Sequence, residues 1–319
     1  MTRHLRILKQ NAQSIIKELK EGTGIDHDYQ IQRDSEFVFV PLAGDFVPAP
    51  SGEYEIVEMD PLASKSRPRP RTSSGAFDLI GNIAITKIRN KLRAEQLAED
   101  LLSSHPVIKS VYLDKGIVGE FRLRDLELLR GEENFNAVYR ENGLVFEMDV
   151  SKVYFSPRLA TERMFVAKDT KDGEYIIDMF AGIGAFSFNM AKQHAVNVSA
   201  IDSNPEAVRY MKRNMEINSL MGSIRPILGK AEEVIGQLPR ADRIIMNLPH
   251  ESRNFLELAR GRLKEGGVIH YYEILDVEGL AGRMSEMNSL GLDILKKREV
   301  HGYSASLSMY SLTATLSGG

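Results

Sequence analysis

The sequence contains no cysteine, which removes in one step a disulfide framework, thiolate catalysis and cysteine-ligated zinc or iron–sulfur sites. The same absence fits a reducing compartment, and the expected location is the cytoplasm. No signal peptide is visible near the N-terminus, where Met1 to Glu21 mixes Arg3, Arg6, Lys9, Lys17 and Lys20 with scattered Leu and Ile. Long apolar runs are missing too. Nothing approaches the roughly 18 to 20 residues a membrane span needs, so no membrane association is expected. Charge of one sign is not in surplus: 41 Lys+Arg stand against 44 Asp+Glu, a formal charge of −3. That excludes a chain devoted to nonspecific coating of nucleic acid and leaves room for a local basic surface.

What is present is globular material. Of the 319 residues, 43% are hydrophobic and 27% charged, and 13 Phe with 11 Tyr supply bulk for a core. This length exceeds one compact domain. In a first module, residues 1–60, Leu5, Leu8, Ile15, Ile16 and Leu19 predict a helix, followed by short strands at Glu36–Pro41 and Tyr54–Glu58. Residues 61–75 alternate Lys65, Arg67, Arg69 and Arg71 with Ser and Pro, a composition that cannot pack and reads as an extended linker. A second module, 76–165, opens with Phe77-Asp-Leu-Ile turning at Gly81-Asn82 into Ile83-Ala-Ile, with a helix over Ala94–Ser103, and is mixed α+β. The third, 166–319, alternates short apolar strands with amphipathic helices. That alternation predicts an α/β fold with a mostly parallel sheet.

The third module carries the clearest chemistry. Tyr175-Ile-Ile-Asp178-Met-Phe180 reads as a buried strand running into Ala181-Gly182-Ile183-Gly184, after which helical spacing resumes at Phe186. Such a junction holds a ligand at the carboxyl edge of a parallel sheet, beside the amide donors of a helix N-terminus; Asp178, Phe180, Gly182 and Gly184 are the candidate cofactor contacts. The next strand ends at Asp202, close to the spacing at which an acid meets ribose hydroxyls, although Asp202 could equally cap the helix opened by Asn204-Pro205-Glu206. Pyrophosphate sites carry the full Gly-x-Gly-x-x-Gly, and here Phe186 and Ser187 follow Ala185. A phosphate-free adenosine ligand, S-adenosylmethionine, therefore suits the loop better than NAD. The fourth strand, Asp242–Met246, ends at Asn247-Leu248-Pro249, a rigid amide-bearing turn where a target base would sit.

At these residues the sequence resembles the archaeal and eukaryotic tRNA (guanine-N1-)-methyltransferases acting at position 37. The resemblance is carried by Phe77-Asp-Leu-Ile-Gly-Asn-Ile-Ala-Ile, Tyr139-Arg-Glu-Asn-Gly, Val153-Tyr-Phe-Ser-Pro-Arg-Leu-Ala-Thr-Glu-Arg, Asp178-Met-Phe-Ala-Gly-Ile-Gly, Asn247-Leu-Pro and Gly267-Val-Ile-His-Tyr-Tyr. It implies a first domain reading the tRNA elbow, a second gripping the anticodon stem-loop, and a class I, Rossmann-like methyltransferase domain. It further implies that Arg122 and Asn247 hold the target guanine, that Tyr154 orients it beside Pro249, that Glu162 is the general base, and that Asp202 and Asn247 contact the cofactor. Arg158 and Arg163, in the same motif, would serve the active-site loop or phosphate.

Those residue types suit the reaction. Guanine N1 keeps its proton up to a pKa of about 9, so methyl transfer requires a group to remove it, and a carboxylate can do so. The negative charge then spreads to the neighbouring carbonyl oxygen, where a guanidinium offers charge-assisted hydrogen bonds. An extruded base also needs an aromatic surface. Each residue has a plainer reading: Glu162 with Arg163 as a surface ion pair, Arg122 as a solvent-facing strand residue, Tyr154 as core filling, and Asn247-Leu-Pro as a simple turn. His250 and His270 read as ordinary hydrogen-bond donors rather than metal ligands, since no partner ligand stands at suitable helical spacing, and Tyr271-Tyr272 as sheet packing. Where the family carries an acidic adenine contact this chain has Lys230, a cation that cannot accept that bond; Glu232 or a backbone carbonyl would have to replace it. The alternative functions are a wyosine-pathway enzyme, either transferring aminocarboxypropyl or additionally methylating a tricyclic precursor, and a noncatalytic RNA-binding protein. The expected partner is tRNA, with no obligatory protein partner and a monomeric state.

Overall fold

The computed structural model describes residues 2–21, 24–26, 29–43, 53–60, 77–304 and 306–317. The expected linker at 61–75 lies outside the described residues. The chain divides after residue 72 into two compact units.

In the first unit, strands β1 (Thr2–Leu8), β2 (Gln32–Arg33), β3 (Phe37–Pro41) and β4 (Tyr54–Met59) form a sheet of order β2-β3-β1-β4, with antiparallel pairing throughout. Helix α1 (Ala12–Glu21) packs on one face. Leu5 and Ile7 alternate inward from β1 and meet Ile15, Leu19, Val38 and Val40 in a small core. The helix expected to include Leu5 and Leu8 therefore starts only at Ala12. Inward burial of Leu5 and Ile7 has the period of a strand, two residues, and outweighs the helical spacing that Leu5 and Leu8 share with Ile15.

The second unit begins with β5 (Phe77–Ile80), β6 (Ile83–Thr86), α2 (Lys91–Ser104), β7 (Ser110–Val118) and β8 (Leu123–Gly131). Its four strands lie in chain order, with β6 and β7 parallel and the outer pairs antiparallel. Asn90 caps α2 by accepting the Arg93 N–H at 3.0 Å, and Ala94, Leu97, Ala98 and Leu101 bury the helix against the sheet. The turn between β5 and β6 needs glycine at residue 81, where φ is +60° and a Cβ would lie 2.6 Å from the Val138 carbonyl oxygen. A separate hairpin follows, β9 (Asn136–Glu141) and β10 (Leu144–Asp149), then α3 (Ala160–Asp169).

The remaining elements are β11 (Tyr175–Asp178), α4 (Ala185–Gln193), β12 (Asn197–Asp202), α5 (Pro205–Ile217), β13 (Ser223–Leu228), α6 (Ala231–Val234), β14 (Ala241–Met246), α7 (Leu256–Gly261), β15 (Leu263–Leu275), α8 (Val277–Ser289), β16 (Leu292–Gly302) and β17 (Ser308–Leu316). They build a seven-stranded sheet of order β13-β12-β11-β14-β15-β17-β16. The pairs from β13 to β15 are parallel, and β17 runs antiparallel to both its neighbours. Chain order reverses between β11 and β14, and in open α/β sheets that switch point opens a crevice at the carboxyl ends of the strands.

The two α+β parts of this unit share one core. Ile83, Tyr112 and Phe146 pack in the same cluster as Phe188, Ala200 and Met211, so the boundary expected at 165/166 runs through continuous packing. Amides reinforce the junction. Asn214 of α5 and Asn218, the cap at its C-terminal end, bond the backbone of Glu147 and Val145, giving the edge of β10 the partners it lacks in its own hairpin.

Candidate active site

The crevice is a cavity of about 370 Å³ at the carboxyl ends of β11, β12, β13 and β14. Its floor is the loop after β11. There Gly182 and Gly184 have φ of +57° and +85°, in the left-handed region that disfavours other residues. A Cβ on Gly184 would also come within 2.9 Å of Met211 and Phe188, whereas at Gly182 only the Tyr154 carbonyl stands near, at 3.7 Å. Gly182 donates its N–H to Asp202 Oδ2 at 2.6 Å, and Asp202 Oδ1 accepts from Asn204 N–H at 2.9 Å. Asp202 thus orders the loop while still facing the cavity, and the cap of the following helix is Asn204, whose side chain accepts the Glu206 N–H. Phe180 and Gly182 line the wall with Asp202; Gly184 turns away from it.

Asp178 sits beneath this floor. It is 1% exposed, its Oδ2 accepts from the Ser187 hydroxyl at 2.8 Å, and its Oδ1 has no hydrogen-bond partner. Burial pushes its carboxyl up to about 7, helped by repulsion from Asp202 and opposed by the Ser187 bond. It does not line the cavity.

On the other side stand Arg122, Tyr154, Asn247 and Pro249, all lining the same space. Asn247 follows directly on β14, and its side-chain oxygen is buried without a hydrogen-bond partner. A buried orphan acceptor costs about 1–3 kcal/mol, so this oxygen is placed for a donor that arrives with a ligand. Arg122 is not a strand residue. It sits in the turn between β7 and β8 with φ of +55°, uncommon for a side chain of this size. It pairs with Glu251 at 3.0 Å, and Glu120 of the same turn pairs with Lys230 at 3.4 Å. The two ion pairs tie the turn to residues following β14 and β13. Both are largely exposed, and such pairs are worth at most about 1 kcal/mol, so an incoming ligand can displace them.

Tyr154 is 49% exposed, which rules out core filling. The buried Arg124 guanidinium lies 5.3 Å from its ring centre and bridges Asp78 at 3.1 Å and Asp114 at 3.3 Å. Arg158 joins this network through Asp78 at 2.6 Å and does not reach the cavity wall. Arg163 does line the wall, gripped by Glu141 through two hydrogen bonds of 2.6 and 2.5 Å. Its neighbour Glu162 points elsewhere. It is 5% exposed, ion-paired with Arg298 at 2.5 Å, and accepts from the Tyr272 hydroxyl at 3.4 Å. Tyr272 in turn packs on Phe186, a wall residue, at 5.5 Å between ring centres. Glu162 is therefore set back from the cavity, behind Tyr272 and Phe186. Burial raises its pKa above the ordinary carboxylate value, against the pull of Arg298.

Several wall residues carry no signal in the sequence. Lys87, Phe121, Glu251 and Tyr303 line the cavity, and Tyr303 arrives from the tip of the β16–β17 hairpin, far along the chain from Asn247. His250 is at the wall as well. Its ring meets Tyr303 edge-on at 5.6 Å, and partial loss of solvent around it, with the nearby Arg122 charge, lowers its pKa below the ordinary imidazole value, so the neutral form prevails at pH 7. Its place directly after Asn247-Leu-Pro could have marked it. His270, by contrast, is wholly internal: it bonds Thr313 and Arg243, and burial depresses its pKa to about 3. Lys230 and Glu232 both line the cavity, the lysine ammonium drawn to Glu120.

Comparison with known proteins matches three segments of the chain. Residues 137–286 match the TRM5/TYW2 methyltransferase domain, 65–134 the TYW2 N-terminal domain and 5–48 the tRNA methyltransferase 5 N-terminal domain. The chain is 38% identical over 288 residues to a tRNA (guanine(37)-N(1))-methyltransferase Trm5b of Pyrococcus abyssi, a match covering 85% of this chain and 84% of the relative. The crystal structure of Trm5b from that organism superposes with a TM-score of 0.73 at 34% identity, covering all of both chains. A complex of aTrm5 with tRNALeu gives a TM-score of 0.69 at 29% identity, covering 98% of this chain and 99% of that one. A tRNA 4-demethylwyosine(37)-methyltransferase Taw21 of Saccharolobus solfataricus is 36% identical over 201 residues, 61% of this chain and 76% of the relative.

Proposed function

The chain belongs to the TRM5/TYW2 family of tRNA methyltransferases, and from that premise we propose that it transfers methyl from S-adenosylmethionine to N1 of guanosine 37 in tRNA. One observation carries the reading: a single cavity joins a floor suited to a phosphate-free adenosine ligand, Gly182 and Asp202, to a grip suited to guanine, Arg122 and Asn247. When bound, the cofactor supplies an electrophilic methyl group on a positively charged sulfur. Asp202 keeps lone pairs free for ribose hydroxyls beyond the two amides it already accepts. Glu232 at the wall is the side-chain acceptor that Lys230 cannot be, and we assign it the adenine amino group.

Arg122, released from Glu251, donates to the guanine carbonyl oxygen as charge builds there, and Asn247 supplies the acceptor for a guanine N–H. Tyr154, backed by Arg124, stacks on the extruded base, with Pro249 setting the angle of the facing turn. Arg163 holds the active-site loop through Glu141 and the Ser156 carbonyl, and Arg158 does so through Asp78. Glu162 takes the N1 proton. Its raised pKa is the direction a proton acceptor near neutral pH requires, and the role demands that the Arg298 pair open to admit the carboxylate to the cavity.

Aminocarboxypropyl transfer is not favoured, because a tRNA(Phe) (4-demethylwyosine(37)-C(7)) aminocarboxypropyltransferase is 34% identical over only 62% of this chain, against 38% over 85% for the guanosine-37 methyltransferase. The substrate tRNA suffices as macromolecular partner, and the working state in this reading is a cytoplasmic monomer. Among the described residues no helix is long and apolar enough to cross a membrane. The test is mass spectrometry of nucleosides after incubation with S-adenosylmethionine and unmodified tRNA bearing guanosine 37. N1-methylguanosine is expected; unchanged guanosine, or label arriving from the cofactor's amino-acid carbons, overturns the assignment.

A further inference from the structure

The exposed aromatic side chains lining this cavity fall into two groups, Tyr154 on one hand and His250 with Tyr303 on the other, and the target guanine needs only one of them. Tyr154 is the one stiffened from behind by Arg124. The other is the pair of His250, in the turn after β14, and Tyr303, at the β16–β17 hairpin tip, whose rings meet at 74° with centres 5.6 Å apart. Neither residue is accounted for by packing, since Tyr303 is 50% exposed and His250 is exposed too. Lys87 and Arg122 are close enough to the His250 ring to act on its charge. The Lys87 ammonium is 64% exposed and only loosely held, 3.9 Å from Asp114. An exposed aromatic ring, braced edge-on by a second one, beside an available cation has the chemistry of a nucleotide site: the ring takes a base and the cation takes its phosphate.

We propose that His250 and Tyr303 form a stacking platform for the nucleotide adjoining the methylated guanosine. The reason such a site is needed lies in the extrusion itself. Pulling one base from the anticodon loop strips a stacking partner from its neighbour, a cost of a few kcal/mol if nothing replaces it. Aromatic side chains can replace it, and they accept any base because every base has a π face. The platform thereby adds binding energy without reading sequence at that position. The inference rests on the function proposed above.

The experiment uses the full chain with two tRNA transcripts carrying 2-aminopurine on the 5′ or the 3′ side of guanosine 37. Wild-type protein should quench the fluorescence of one of them. Tyr303→Ala and His250→Ala should abolish that quench and lower kcat/KM for tRNA by about five- to hundredfold, the range expected for removing one base–aromatic stack, with most of the loss in KM. Tyr303→Phe should restore both. If neither transcript is quenched, or the alanine variants quench as wild type does, the platform does not exist. A loss confined to kcat, or one accompanied by a lowered melting temperature with the quench intact, makes the pair a clip for the hairpin and overturns the inference equally. Failure of the underlying reading is separately visible, because wild-type protein would then leave guanosine 37 unmethylated in the same transcripts.

Discussion

Arg122 is bound to a backbone conformation its side chain does not favour, and strain of that kind costs about 1–3 kcal/mol. Glycine adopts a φ of +55° without strain. Arg122→Gly should therefore leave the urea unfolding midpoint unchanged or raised. Methyl transfer under single-turnover conditions should fall by about 10²–10³-fold, the loss typical of removing one donor to a developing negative charge. A variant that loses stability together with activity would show the residue to be structural. Asp178 makes a prediction about pH. Below pH 3.8, its ordinary value, native and unfolded chains both hold the proton. Between there and about 7 only the native carboxyl retains it, so stability falls as pH rises, and above 7 the full contribution of about 4 kcal/mol is gone. Asp178→Asn cannot ionise and keeps an acceptor for Ser187. Its melting temperature should exceed that of wild type at pH 8 and approach it at pH 5. Equal gaps at both pH values would place the carboxyl's titration elsewhere.

At the scale of elements, α3 and β16 are joined by Glu162 and Arg298, and this pair decides what Glu162 does. Glu162→Gln keeps an acceptor for Tyr272 and removes the only charge of the pair that is fully buried, so stability should change little. A general base is worth about 10²–10⁴ in rate, and turnover should drop by that much while tRNA affinity holds. The wild-type rate should fall as pH is lowered through the raised pKa of this carboxyl. Turnover that survives the substitution would leave Glu162 as a clasp between two elements. The pairings are not legible in sequence: Glu162 and Arg298 stand 136 positions apart, Arg122 and Glu251 129 apart, and contacts across such distances leave no periodic trace. What can be read is local. Strand–glycine–helix at Asp178–Phe186, the Asn204 cap and the Gly81-Asn82 turn each follow from the conformational limits of a few adjacent residues. The strand at Leu5 reads as helix because alternation over so short a run competes poorly with apolar residues spaced further along. The boundary at 165/166 marks a change of composition, and composition does not report which side chains end in the same core.

For the molecule as a whole, the two units have separate cores. Leu5, Ile7, Ile15, Val38 and Val40 close the first within residues 2–43, and every residue lining the cavity belongs to the second. Among the described residues, the cofactor floor and the guanine grip are built from the second unit's own chain. A chain beginning at Ser73 should then unfold in one cooperative transition and bind S-adenosylmethionine, by calorimetry, within about twofold of the full chain's Kd, a difference of under about half a kcal/mol. Binding of tRNA should respond differently. If residues 1–72 touch the elbow, they neutralise phosphates, and each phosphate no longer neutralised flattens the slope of log K against log salt by about 0.9 on duplex regions. The shortened chain should show both weaker tRNA binding at low salt and a shallower slope. An unchanged slope with intact affinity would confine recognition to residues 73–319, whereas loss of cofactor binding would make the first unit part of the active site after all.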